Sequence, residues 1–131
     1  MTSLQVRIAR QTARLDEVVA FYERLGLPRI GGFTDHEGFT GVMLGIPGTG
    51  AHLELVSGGS HLPPDPHPES LLVLYLGSRD AVARLSAGLP VVPSANPYWD
   101  RCGITVVDPD GFRVVLCEQA WETPEAGHPA G

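Results

Sequence analysis

The triplet Gly-Leu-Pro occurs at 26–28 and again at 88–90, 62 residues apart, and both times it closes a stretch with helical periodicity. Glycine suits a left-handed helix cap and proline forbids continuation, so each triplet is a helix stop. The same stop at the same place in two successive patterns implies a duplicated unit.

The first pattern opens with LQVRIAR (4–10), where Val6 and Ile8 alternate with Arg7 and Ala9 as a strand requires. Leu15, Val18, Val19, Tyr22 and Leu25 then fall at helical spacing, with Asp16 and Glu17 where the helix dipole favours acids. Residues 27–34, 39–46 and 51–57 read as strands, separated by the turns DHEG (35–38) and PGTG (47–50). The last of these alternates cleanly, with Leu53 and Leu55 on one face and His52 and Glu54 on the other.

GGSHLPPDPHPE (58–69) reads as a stiff linker, with a metal-binding tract through His61 and His67 as the alternative. Beyond it the pattern restarts. LLVLYL (71–76) is a buried strand, Ser78 can cap a short helix carrying Val82 and Leu85, and Gly88 closes it. After PVVPSANPYW (90–99) come ITVV (104–107), the turn DPDG (108–111), FRVVLC (112–117) and a frayed tail from about 119. Each half reads strand–helix–strand–strand–strand. The expected domain is therefore single, with units over 4–57 and 70–118, the linker 58–69 between them and a tail over 119–131.

Length and composition agree. At 131 residues, 43% hydrophobic and 18% charged, the chain suits one globular domain. No apolar run approaches the roughly 20 residues of a membrane helix, and the first residues lack a secretory leader pattern. With two cysteines, Cys102 and Cys117, the expectation is a cytoplasmic protein with reduced thiols. Pairing Val107 with Phe112 around DPDG would set Cys102 opposite Cys117. A net charge of −6 argues against nucleic acid or an anionic membrane as partner and favours a small molecule.

The tandem βαβββ pattern, the segment DEVVAFYERLGLP (16–28) and the segment DPDGFRVVL (108–116) together resemble the vicinal-oxygen-chelate superfamily. That superfamily holds glyoxalase I, bleomycin-resistance proteins and extradiol dioxygenases. The resemblance spans 4–118. It implies an α+β fold in which two βαβββ units form a cup-shaped mixed β-sheet with flanking helices, and commonly a homodimer. It also implies a divalent metal held by four His, Gln or Glu ligands on the first and last strands of each unit.

Carried over residue by residue, those ligand positions fall on Arg7, Glu54, Leu71 and Val115. Only Glu54 can be a ligand, because a guanidinium has no lone pair to offer and Leu and Val have no donor atom. The expectation is a small-molecule-binding protein of the bleomycin-resistance kind, with no metal cofactor and an Arg7–Glu54 salt bridge in the metal's place. The alternative for Arg7 is extension into solvent.

Two rival functions stay open. One is a divalent-metal lyase, isomerase or dioxygenase using a displaced set, His52 and Glu54 with a third donor from His36, Glu37, His61 or His67. The other is a metal-free enzyme in which His52 and Glu54 move protons. In the segment NPYWDRCG (96–103), read as a loop, Tyr98, Trp99 and Arg101 are candidates for ligand contact. The competing reading of the two aromatics is a cover over the core or a dimer contact.

Overall fold

A computed structural model of the chain describes residues 4–59 and 62–121. The elements are β1 (Val6–Gln11), α1 (Leu15–Arg24), β2 (Arg29–His36), β3 (Phe39–Gly45), β4 (Ala51–Gly58), β5 (Leu71–Tyr75), α2 (Arg79–Ser86), β6 (Val91–Val92), α3 (Pro97–Cys102), β7 (Gly103–Val107) and β8 (Arg113–Cys117). They form two compact units, one of Met1–His67 with Asp108–Phe112, the other of Pro68–Val107 with Arg113–Gly131. Each has its own four-stranded sheet, ordered β1-β4-β3-β2 and β5-β8-β7-β6. In both, the first and last strands pair in parallel and the remaining neighbours antiparallel, so the duplicated pattern is a duplicated topology.

In the first unit, Val42 pairs with Leu55 and Leu44 with Leu53, which puts all four on one sheet face. They are buried with Val18, Val19 and Tyr22 of α1, the helix that lies on β3 and β4. Burying each of the three leucines contributes roughly 1.5–3 kcal/mol. The helix ends as the sequence predicts. Gly26 takes φ +95°, its amide donates to Glu23 O, and Leu27 donates to Tyr22 O at 3.1 Å. This paired arrangement satisfies carbonyls the helix would leave open.

The second unit is built alike but filled differently. Ser78 caps α2 by accepting from the Ala81 amide at 3.2 Å, and α2 lies on β7 and β8. The opposite face of this sheet is covered too. Trp99, Leu71 and Val73 pack there against Cys102, Val115 and Cys117. With both faces covered, Val114, Val115, Leu116 and Cys117 are all fully buried, which explains why β8 is a continuous apolar run where β4 alternates.

Three sequence expectations are corrected. Residues 97–102 are a helix, not a loop: Asn96 Oδ1 accepts from the Tyr98 amide at 3.0 Å and Pro97 occupies the first turn. Strand β6 has only two residues, because Pro90 and Pro93 flank it. Around DPDG, Val107 pairs with Arg113 and Gly103 with Cys117, one residue from the expected register. The shift follows from Asp108, whose Oδ1 accepts from the amides of Asp110 and Phe112 and draws Phe112 into the turn. Among the described residues, no helix is long and apolar enough to cross a membrane.

Candidate ligand-binding face

The face of the first sheet opposite α1 carries the polar residues. Arg7 of β1 is the Cα partner of His52 on β4, and Ala9 that of Glu54. Directly paired residues share a face, so the guanidinium lies over both side chains. Arg7 Nε donates to His52 Nε2 at 2.9 Å, and Arg7 Nη1 lies 3.1 Å from Glu54 Oε2. Because His52 Nε2 accepts, its ring proton resides on Nδ1. His52 and Glu54 therefore do not form a direct acid–base pair: Arg7 stands between them and takes the imidazole's lone pair.

The charges are unequally placed. The Arg7 side chain is 51% exposed and that of Glu54 16%. A pair this open to water contributes at most about 1 kcal/mol to stability, so its stabilising role is minor. Its chemical role is a guanidinium held at a fixed place on an open face, with Glu54 compensated.

Small residues keep that face clear. Met43 is the partner of both Glu54 and Gly31, Gly45 is the partner of His52, and Gly41 lies opposite Phe33. The Phe33 ring fills the space a side chain at Gly41 would need. A groove of about 460 Å³ runs past His52, bounded by Gln5, Pro28, Ile30, Pro47 and Thr49. The sheet thus offers apolar surface from Phe33 and Met43 beside one cation, a common composition for small-molecule sites.

The superfamily's metal does not fit the donor set. Arg7 and Glu54 are joined to each other, while Leu71 and Val115 lie in the apolar cluster under Trp99, with Val115 fully buried. Among the described residues, no three of His, Cys, Asp and Glu gather as a metal site would require. His36, whose ring meets Phe33 at 6.3 Å, and Glu37, in the tight turn after it, do not complete such a set with His52 and Glu54. Neither does His67, and His61 lies outside the described residues.

Tyr98, Trp99 and Arg101 are brought together on α3. The two rings meet edge to face at 5.0 Å, and the Arg101 guanidinium stands 6.0 Å from the Tyr98 ring centre. Trp99 covers the apolar cluster, whereas Tyr98 is exposed, with its hydroxyl 3.5 Å from Gln119 Oε1. Sequence reasoning missed a neighbouring pair: Tyr75 and Trp121, both exposed, with ring centres 6.1 Å apart. The available signal was a lone tryptophan in a tail otherwise rich in proline, glycine and glutamate.

Similarity to known proteins agrees with this geometry. The family models for the YycE-like N-terminal domain and the YycE-like C-terminal domain match residues 6–56 and 69–118. Protein YycE of Bacillus subtilis (strain 168) is 47% identical over 120 residues, covering 86% of each chain. The crystal structure of a YycE protein from Bacillus subtilis, grouped with glyoxalase and fosfomycin-resistance proteins and itself of unknown function, is 42% identical. It superposes with a TM-score of 0.81 over 95% of this chain and 93% of that one. Two more distant structures share the fold. The trypanothione-dependent glyoxalase I of Leishmania major has TM-score 0.67 and 21% identity, over 90% of this chain and 88% of that one. An antibiotic-binding protein from Streptomyces sp. CB03234 has TM-score 0.64 and 21% identity, over 92% and 98%. Two repeated βαβββ sheets, matching family models over both and 47% identity to YycE place this chain in the YycE-like family, within the vicinal-oxygen-chelate superfamily.

Proposed function

We propose that this chain binds a small molecule on the open face of its first sheet, without the superfamily's divalent metal. The observation that carries the reading is the Arg7 guanidinium bonded at once to His52 and Glu54. It satisfies the one retained metal ligand and leaves a half-exposed cation as anchor. A ligand with a carboxylate or another acceptor group suits Arg7, and a flat apolar portion suits Phe33 and Met43. The antibiotic-binding protein from Streptomyces is a precedent for binding on this fold. Separately, on α3 of the second unit, the exposed Tyr98 and Arg101 are candidates for ligand contact of their own, with the Trp99 ring edge to face with Tyr98.

The rival metalloenzyme needs a third donor beside His52 and Glu54. The rival acid–base enzyme needs the His52 lone pair that Arg7 holds. We infer a homodimer as well, supported by the apolar Leu4, Val6 and Ile8 exposed on and beside edge strand β1, and a cytoplasmic location, where free thiols persist.

The test is a small-molecule screen by thermal shift, followed by titration of each hit against parent and Arg7→Ala. Loss of a charge-assisted hydrogen bond of roughly 1.5–3 kcal/mol should weaken binding about tenfold or more. Hits that bind both proteins equally exclude this face. Stoichiometric zinc, nickel, manganese or iron in the purified protein, lost in Glu54→Gln, would favour the metalloenzyme instead. Light scattering should give twice the protomer mass.

A further inference from the structure

The proposed ligand face makes no use of the thiols. Cys102 ends α3 and Cys117 ends β8 in the second unit. Both are free and buried, with their sulfurs 3.5 Å apart. Their backbones are held side by side: Gly103 is the Cα partner of Cys117, and the Glu118 amide donates to Cys102 O at 2.8 Å. The apolar side chains of Leu71, Val73, Val115 and Trp99 pack around them.

We propose that Cys102 and Cys117 are a two-electron redox site that closes to an intramolecular disulfide when the protein meets hydrogen peroxide. A disulfide needs its sulfurs about 2.0 Å apart. The separation in this protein leaves a gap that side-chain rotation spans, because the strand pairing already fixes the two chains together. The thiols are 4% and 0% exposed, so Cys102, at the end of α3, is the one a small oxidant reaches first.

The chemistry balances with peroxide as the only co-reactant. The Cys102 thiolate, its proton released to solvent, attacks one peroxide oxygen. The O–O bond breaks, hydroxide leaves and takes up a proton as water, and Cys102 becomes a sulfenic acid. The Cys117 sulfur then attacks the Cys102 sulfur, the S–S bond forms, and the S–O bond breaks. That oxygen leaves as water with the Cys117 proton. Two thiols and one peroxide give one disulfide and two waters.

Burial, and then the hydrogen-bond contact with Cys117, push the Cys102 thiol up to about 11. Little thiolate forms at neutral pH, so the pair is slow to react and responds to sustained peroxide rather than to brief exposure. A neighbouring thiol only 3.5 Å away captures the sulfenic acid before a second peroxide can. Closure ties the end of α3, and with it Trp99, to strand β8.

The test treats the intact chain with excess peroxide, then denatures it in iodoacetamide and measures its mass. The expected product has lost two hydrogens, takes no label, runs as a single chain without reductant, and takes two labels after dithiothreitol. A peptide linking Cys102 to Cys117 should appear in the digest. Cys117→Ala should instead take up oxygen at Cys102 without losing hydrogens, and Cys117→Ser serves if that variant does not fold. A parent that still takes two labels after peroxide overturns the proposal. So does one whose thiols disappear only into disulfides between chains, or only as sulfinic acids.

Discussion

Tyr22 Oη donates a 2.7 Å hydrogen bond to Asp108 Oδ2, joining the aromatic pair of α1 to the Asp-Pro-Asp-Gly turn 86 residues further on. Both residues are buried, at 0% and 4% exposure. The Tyr22 oxygen also accepts from Arg10 Nη1 at 3.0 Å, and Arg10 lies over the Phe112 ring at 4.3 Å. The other carboxylate oxygen of Asp108 takes the amides of Asp110 and Phe112, both at 2.9 Å. The two sequence segments that most resemble the superfamily are thus one hydrogen-bonded network, so each depends on the other.

Tyr22→Phe should therefore destabilise the protein by about 1–3 kcal/mol, because Asp108 and Arg10 lose a buried partner while the ring packing is kept. Urea denaturation would read this as a lower midpoint at unchanged slope. Burial first, and the Asp108 charge second, push the Tyr22 phenol above its ordinary value of 10.0. The folded state then keeps a proton that the unfolded chain loses, so parent stability should fall as pH rises above about 10. Tyr22→Phe should lack that share of the decline.

The alternation of His52-Leu53-Glu54-Leu55 correctly announces a sheet with one packed face, and Arg7 on the neighbouring strand correctly meets Glu54. What the sequence did not disclose is that Arg7 would also take the His52 lone pair, since strand register sets that contact. The start of helix α3 is legible in the sequence. Asn96, Pro97 and Asp100 form a proper helix start, but so many prolines and aromatics in a short stretch suggested a loop. The contact of Trp121 with Tyr75 is tertiary, and no local pattern in the tail encodes it.

Restoring a carboxylate at the fourth ligand position should fail. Val115 is fully buried between β5 and β7, beneath Trp99 and beside both cysteines. Val115→Glu would place an unpaired charge there, which costs about 3–5 kcal/mol. We expect little or no cooperative unfolding transition for this variant and no gain in metal binding. A Val115→Glu protein as stable as the parent would show that the cluster is not closed.

Gly41→Ala tests how the open face is kept clear. A Cβ at position 41 would stand 2.5 Å from the Phe33 ring. The ring belongs to edge strand β2 and can swing away, so the expected loss is about 1–3 kcal/mol rather than unfolding. The displaced Phe33 should also change its contact with His36, now at 6.3 Å. Shifts in the aromatic NMR signals of both rings would report it. Unchanged ring signals would mean that the backbone, not Phe33, gives way.

The thiol pair predicts a separate alkaline transition. The folded Cys102 thiol keeps its proton to about 11, whereas an unburied thiol loses it near 9.0. Between those values the unfolded chain binds fewer protons than the folded one, so stability falls as pH rises through that window and is flat in this respect below it. The onset lies one pH unit below the ordinary value of 10.0 from which Tyr22 starts, so the cysteine contributes the larger share of the decline between 9 and 10. Denaturation midpoints measured across that interval should fall for the parent and for Tyr22→Phe alike, and fall less for Cys102→Ala. An equal fall in Cys102→Ala would assign the alkaline loss to other groups. Alkylation of the folded parent by iodoacetamide should likewise be slow at neutral pH and become fast only when the protein is unfolded.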